Sequence, residues 1–187
     1  MKKLILLLIC SMFLSCSYNK KKSMNVQHFN FETQYNQFYL TSVGKDFNTD
    51  GNKDMNTFTE DMNKRLGIEK NALIVFTESY GNIKGDLEIL EKPVTDIDFS
   101  KYDHIVEGSI NVESGQLQIM DSPHSHIELT INVDPGNYRV RVYSSNLASV
   151  KEHDLPHDTD NDYYHLELWK SDDMERKVLK QYEKITK

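Results

Sequence analysis

The chain has 187 residues, of which 38% are apolar, and its 29 acidic and 22 basic residues give a formal net charge of −7. This length suits one domain with a sizeable core. The excess of negative charge argues against nucleic-acid binding, because a phosphate backbone repels carboxylates. The composition is compatible with a cationic partner or with solubility alone.

The N-terminus has the pattern of a secretory signal peptide. Lys2 and Lys3 precede an apolar run that ends at Ser15, a small residue next to Cys16. The run is shorter than the roughly 20 residues that cross a bilayer. Residues 13–16 (Phe-Leu-Ser-Cys) resemble a bacterial lipobox of the Bacteroidota type. We therefore expect lipidation at Cys16 and an anchor in the cell envelope, at the periplasmic face or the outer surface of the outer membrane. An ordinary secreted protein is the alternative.

Four segments follow from this interpretation. They are a signal peptide (1–15), a lipidated polar tether (16–27), a β-sandwich domain (28–170) and a C-terminal helix or tail (171–187). Removal of the leader leaves one cysteine, so no disulfide can form within the remaining chain. Packing alone has to hold the domain together.

Short segments rich in aromatic and β-branched residues, with alternating polarity, dominate the chain after the tether and predict strands. Turn sequences separate several of them, and Asp-Pro-Gly-Asn at 134–137 is the clearest. A second turn is expected at 113–116, so both flanking strand pairs should form antiparallel hairpins. The predicted strands are 29–33, 38–42, 72–77, 83–90, 104–112, 117–121, 127–133, 138–143 and 163–169.

One helix interrupts the strand pattern. Thr57 and Glu60 have the spacing of a capping box, apolar residues recur every four positions from Phe58, and Gly67 is a typical helix stop. The sequence therefore predicts a helix at about 57–66. Together with the strands, this indicates a mainly β fold, an antiparallel β-sandwich with one short helix.

The C-terminal residues 174–182 are less clearly patterned. They fit a second, weaker helix, but the same residues could extend as a strand or fray as a tail. The sequence leaves these alternatives open.

Oxygen-bearing side chains stand at alternate positions around a glycine in the loop before the helix. This spacing matches the start of a calcium-binding loop. The twelfth position, however, is Thr57, where such loops need a bidentate glutamate. An ordinary polar loop without a bound ion is the alternative, so calcium is at most a possible cofactor of this loop. The candidate ligands are Asp46, Asn48, Asp50, Asn52 and Asp54.

Two pairs of histidines invite a transition-metal interpretation. His124 and His126 would share one face of a strand, but the sequence identifies no third ligand. His153 and His157 lie among aspartates in a segment without apolar periodicity, which favours a flexible acidic loop.

Arg139 and Arg141 alternate with valines on a predicted strand. We expect a solvated outer face on which the arginine stems cover apolar surface. The alternatives are that both arginines pair with acidic side chains of neighbouring strands, or that they present a binding patch to a partner.

No enzyme is predicted. The sequence has no Gly-x-Ser-x-Gly elbow, no phosphate-binding loop and no His-Glu-x-x-His motif. His104 and Ser109 are five residues apart on one predicted strand and would face opposite sides, which separates the members of a catalytic pair.

Three segments, 103–109, 136–143 and 163–169, together resemble a family of small β-sandwich proteins. This family includes inhibitors of the DNA-entry nuclease of competence systems and immunity-like relatives. The resemblance implies a non-catalytic domain that binds another protein, here a membrane-anchored inhibitor of a nuclease or toxin. A calcium-stabilised ligand-binding or structural module of the envelope is the alternative, and an envelope hydrolase ranks last.

Overall fold

Strands make up about half of the chain that the structure describes. The computed structural model describes residues 26–46 and 54–183, and its one α-helix there, α1, spans Met55–Asn63. In chain order the strands are β1 (Val26–Thr33), β2 (Gln37–Ser42), β3 (Leu66–Glu69), β4 (Ala72–Phe76), β5 (Gly81–Ile89), β6 (His104–Val112), β7 (Gln116–Met120), β8 (Ile127–Asn132), β9 (Gly136–Ser145), β10 (Tyr163–Lys170) and β11 (Lys177–Lys180).

The strands form two sheets that pack as a β-sandwich. The six-stranded sheet has the order β1-β5-β10-β9-β6-β11, and the five-stranded sheet has the order β3-β4-β2-β7-β8. The prediction of a mainly β sandwich with one short helix is confirmed. One pair differs from the antiparallel expectation, because β5 and β10 are parallel neighbours. A parallel pair needs a long crossover, and β6 to β9 lie between these two strands in sequence.

A single core fills the space between the sheets. Its aromatic end consists of Phe29, Phe31, Phe38 and Tyr164, and the Phe38 and Tyr164 rings meet edge to face with centroids 6.0 Å apart. Aliphatic residues from both inner faces complete it. This end of the core lies beneath β1, the strand that forms one edge of the six-stranded sheet.

The helix begins earlier than the sequence predicts. Asp54, not Thr57, is the N-cap, and its side chain accepts hydrogen bonds from the Asn56 and Thr57 amides. The helix ends at Asn63, and Arg65 takes a left-handed conformation with φ of 55°. The predicted start at Thr57 and stop at Gly67 are therefore wrong, because an aspartate three residues earlier is an equally good cap.

Both predicted hairpins are wrong in the same way. The chain turns at 113–116 and bends at Pro135, but each of these connections carries it from one sheet to the other. As a result β6 pairs with β9, and β7 pairs with β8. Turn residues specify a local reversal of direction, whereas the partner of each strand depends on packing between the sheets.

The last part of the described chain is a strand. Within the segment 171–187, which the sequence assigns to a helix or tail, β11 pairs antiparallel with β6 at the edge of the six-stranded sheet. Arg176 precedes β11, and it donates hydrogen bonds to Asp61 of α1 and to the Leu66 carbonyl of β3. These bonds connect the C-terminal segment to the five-stranded sheet.

Candidate functional site

An acidic cleft lies where the edge strands β1 and β8 meet. Its volume is about 910 Å³, and it is lined by five carboxylates and three histidines but by only one lysine. We call it the acidic cleft. Its acidic and basic lining residues are Glu32, Lys84, Asp121, His124, His126, Glu128, His157, Asp158 and Asp160.

One wall of the acidic cleft is the loop between β7 and β8. The Asp121 amide donates to the His126 carbonyl at 3.1 Å, and the His126 amide donates to Asp121 Oδ1 at 2.6 Å. Ser125 takes a left-handed conformation with φ of 58°, and the Ser122–Pro123 peptide bond is cis. The loop is thus closed by reciprocal hydrogen bonds between its two ends.

Hydrogen bonds to β1 and β2 hold the same loop against the sandwich. The Ser122 amide donates to Thr33 Oγ1 at 3.1 Å, and the Gln34 amide donates to the Ser122 carbonyl at 2.8 Å. The Ser122 and Tyr39 hydroxyls lie 3.1 Å apart. Ser122 is buried, so the loop is built into the fold instead of projecting freely into solvent.

The opposite wall is the segment 156–160, which precedes β10. The His157 amide donates to Asp160 Oδ2 at 3.0 Å, and the Asp160 amide donates to the His157 carbonyl. Pro156 packs on Gly81, where an added Cβ would lie 2.8 Å from the proline ring. Gly81 also has φ of 113°, so both the close approach and the backbone conformation require glycine there.

A cluster of buried polar side chains lies behind this wall and holds it by hydrogen bonds. Asp162 Oδ2 accepts hydrogen bonds from the Tyr164 hydroxyl at 2.6 Å and the Ser79 amide at 3.0 Å. Burial, together with the charge of Asp162, raises the pKa of Tyr164 well above its ordinary value. Beside it, Glu78 pairs with Arg65 at 2.7 Å and with His153 at 3.1 Å.

The arginines singled out by the sequence lie away from this cleft, in a buried ionic network. Arg139 and Arg141 are 2% and 6% exposed, and both donate to Glu107, at 3.0 Å and 2.6 Å. Arg141 also lies 3.3 Å from Glu167 and over the Trp169 ring. The expected solvated outer face is therefore wrong, and the arginines pair with acidic side chains of neighbouring strands.

Two connecting segments cover the network, which explains its burial. The Arg141 guanidinium donates to the Val94 carbonyl at 2.9 Å, and that of Arg139 donates to the Asp173 and Glu175 carbonyls. The strand pattern alone cannot reveal these covering segments. Neither arginine side chain is exposed enough to form a binding patch.

His165 extends this network to β5. Burial disfavours its charged form, but hydrogen bonds with Asp86 and Glu167 outweigh burial and raise the pKa of His165 to about 9. Burial would raise the pKa of Asp86, but hydrogen bonds from His165 and Tyr163 outweigh it and lower that pKa. The imidazolium and the carboxylate therefore form an ion pair at neutral pH.

Of the five candidate calcium ligands, only two are among the described residues. The Asp46 carbonyl accepts a hydrogen bond from Asn71. Asp54 uses both carboxylate oxygens at the helix cap, with Thr57 Oγ1 donating to Oδ2 at 2.7 Å. The positions between them, Asn48, Asp50 and Asn52, lie outside the described residues, and calcium binding there stays a prediction.

The membrane-anchoring prediction also falls outside the described part of the chain, because Cys16 and the segment 1–15 precede residue 26. Within residues 26–46 and 54–183, no helix combines the length and apolar character needed to cross a bilayer.

The sequence indicates His124, His126 and His157 as candidate ligands. It does not indicate Asp121, whose carboxylate faces His124 and His126. Asp121 lies at the end of a predicted strand, and only the closed loop turns it towards the histidines. The spacing Asp-x-x-His-x-His was the available signal. The other acids of the cleft come from distant parts of the chain.

Comparisons with known proteins identify solved structures that share the fold of this chain. No protein-family model matches the chain, and no curated protein matches it significantly. Among solved structures, ComJ from Bacillus subtilis, an inhibitor of the DNA-degrading activity of NucA, superimposes with a TM-score of 0.57 at 15% identity, over 81% of this chain and 98% of ComJ. A protein described as crocagin biosynthetic gene J has a TM-score of 0.46 at 11% identity, over 79% of this chain and 99% of its own. The predicted resemblance to a nuclease-inhibitor family is confirmed at the level of the fold, which this chain shares with ComJ.

Proposed function

We propose that this protein is a non-catalytic inhibitor that binds a cationic protein, with a nuclease as the leading class of target. The observation that carries the proposal is the acidic cleft, in which five carboxylates face a single lysine. A concave surface of one charge sign attracts partners of the opposite sign and raises their association rate.

The fold supports the choice of target class. ComJ, whose fold this chain shares along nearly all of ComJ's length, inhibits a DNA-degrading enzyme. Nucleases bind a polyanion, so their binding surfaces are rich in lysine and arginine. An acidic cleft is complementary to such a surface. An inhibitor that covered the basic surface of a nuclease would exclude DNA from it.

Exposed acids in the cleft would make the first contacts. Glu32, Glu128 and Asp158 are solvent-exposed, and they come from β1, from β8 and from the segment before β10. Lys84, the one lysine in the lining, donates to Asn161 at 2.6 Å. The three exposed carboxylates therefore surround the cleft on separate elements.

A DNA-degradation assay tests the proposal. Full-length protein in detergent is added to Bacillus subtilis NucA and to a panel of secreted nucleases rich in lysine and arginine. We expect at least one nuclease to be inhibited in proportion to the added protein. If none is inhibited by a large molar excess, the inhibitor function is wrong.

Two triple variants locate the binding surface. The cleft triple variant carries Glu32→Gln, Glu128→Gln and Asp158→Asn. The control triple variant carries Glu91→Gln, Glu175→Gln and Asp96→Asn, which removes the same charge at exposed positions outside the acidic cleft. We expect inhibition to weaken about tenfold or more in the cleft triple variant and to change little in the control triple variant.

We propose further that lipid attached at Cys16 anchors the protein in the cell envelope. The apolar leader and the small residue before Cys16 support this. Cells fed labelled palmitate should incorporate label into the wild-type protein but not into Cys16→Ser. Equal labelling of both proteins would rule out this anchor site.

A further inference from the structure

Three side chains of the β7–β8 loop converge at one edge of the acidic cleft. Asp121 Oδ2 lies 3.2 Å from His126 Nδ1 and 3.8 Å from His124 Nδ1. One ligand atom from each residue lies within 4.8 Å of the other two. The two imidazole rings are nearly parallel, with an interplanar angle of 11° and centroids 5.4 Å apart.

We propose that Asp121, His124 and His126 form a binding site for a divalent transition-metal ion of the zinc class. Two imidazoles and one carboxylate are a ligand set that zinc prefers, whereas calcium and magnesium prefer oxygen ligands alone. Tetrahedral bonds of about 2.1 Å separate neighbouring ligand atoms by about 3.4 Å. The two separations from Asp121 Oδ2, 3.2 Å and 3.8 Å, are close to this value.

The carboxylate is already oriented for this role. Asp121 is 5% exposed, and the His126 amide holds its Oδ1 at 2.6 Å. This hydrogen bond leaves Oδ2 directed at both imidazoles. A ligand fixed in this way loses little conformational freedom when it binds a metal ion.

The histidines remain accessible from the cleft. The side chains of His124 and His126 are 55% and 70% exposed. Exposed rings can turn towards an ion held at Asp121 Oδ2, because little protein surrounds them. Three protein ligands leave a fourth tetrahedral position open to the cleft, so water or a group of a bound partner can occupy it.

A second group of similar residues shows why this one is distinctive. Glu88, His165 and Glu167 also lie close together. There, however, His165 is already paired with Asp86, and Glu167 Oε2 accepts from the Tyr143 hydroxyl at 2.7 Å and lies 3.3 Å from Arg141. Charges of the protein itself already compensate that buried group.

Calorimetric titration with Zn²⁺ tests the site. The samples are untagged full-length protein, His124→Gln, His126→Gln and the control His157→Gln, which removes a third histidine of the same cleft. We expect the wild type to bind one ion per chain. Loss of either ligand should weaken binding at least tenfold, since even partners outside the coordination sphere contribute about tenfold or more. His157→Gln should bind like the wild type.

Thermal melts with and without Zn²⁺ show whether each protein binds the metal, even if a variant is less stable than the wild type. Relative to each protein without metal, Zn²⁺ should raise the Tm of the wild type and of His157→Gln clearly more than that of His124→Gln or His126→Gln. Absence of zinc binding to the wild type, or equal binding by all four proteins, would overturn the proposal. Neither result depends on the identity of a protein partner.

Discussion

Glu107 is the central residue of the ionic network on the outer face of the six-stranded sheet. It accepts hydrogen bonds from Arg139 and Arg141, and all three side chains are at most 10% exposed. Charges in such a position are tolerated only because each is compensated by another. Removing the shared carboxylate would take a buried ion-pair partner from both arginines at once.

We predict that Glu107→Gln lowers the free energy of unfolding by about 3–5 kcal/mol, the usual cost of breaking a buried ion pair from one side. Urea denaturation measures this value. Glu113→Gln is the matched control, because Glu113 pairs with Lys45 in an exposed position and its loss should change little. Similar effects of the two substitutions would show that the network contributes no more than a surface pair.

His165 should make stability depend on pH. Its pKa is about 9 in the folded protein, compared with an ordinary value of 6.5, so the folded state holds this proton more tightly. The resulting stabilisation is fully present below pH 6.5 and is lost as the pH rises through 9. The expected loss is about 3 kcal/mol.

Urea denaturation of the wild type and of His165→Gln, at about pH 6 and again at about pH 9.5, measures this contribution. The wild type should lose more stability than the variant between the two conditions. An equal loss in both proteins would mean that His165 is not the titrating group.

At the scale of elements, strand existence is what the sequence predicts best. All nine predicted strands are present, and β6 has the predicted bounds, His104–Val112. Alternating polarity indicates a half-buried strand, because successive side chains point to opposite faces of the sheet. The sequence misses β3 and leaves β11 undecided between a helix, a strand and a tail, because each is only four residues long and too short to show a period.

The pairing of the strands and the burial of the outer sheet face are predicted poorly, because both depend on contacts between residues that are distant in sequence. The segment 113–116 is a turn and the chain bends at Pro135, but neither forms the predicted hairpin. The burial of Arg139 and Arg141 depends on segments distant in sequence. Likewise, two of the three proposed metal ligands, His124 and His126, are visible as a pair, whereas Asp121 joins them only through the hydrogen bonds of its loop. These features arise from tertiary packing.

A close approach between strands gives an element-scale prediction. Gly85 of β5 lies between β1 and β10, and an added Cβ would be 2.0 Å from the Tyr164 carbonyl oxygen and 2.5 Å from the Phe29 ring. We expect Gly85→Ala to lower the free energy of unfolding by at least about 3 kcal/mol, at or beyond the upper end of usual overpacking costs. Urea denaturation measures it.

Gly44 supplies the control for this prediction. Its φ is 74°, but no atom would lie within 4 Å of an added Cβ. Gly44→Ala should therefore cost only the strain of a left-handed alanine, about 1 kcal/mol. If it destabilises the protein as much as Gly85→Ala does, steric overlap between the strands is not the cause.

At the scale of the whole molecule, the two sheets leave an open seam between β1 and β8. Acidic side chains gather at one end of this seam, around a cleft whose walls are fixed by hydrogen bonds and by the contact of Pro156 with Gly81. Walls fixed in this way lose less conformational entropy on binding than mobile ones, and a charged surface accelerates encounter with an oppositely charged partner. Together these properties suit an inhibitor.

The role of the acidic cleft as binding surface is tested most directly by the association rate constant with a nuclease identified in the DNA-degradation assay, measured over a range of salt concentrations. We predict fast association of the wild type that slows steeply with salt, because long-range attraction is screened. The cleft triple variant should associate about tenfold more slowly with a flatter salt dependence, and the control triple variant should match the wild type. A wild-type rate indifferent to salt, or equal effects of the two triple variants, would contradict the claim that the acidic cleft is the binding surface.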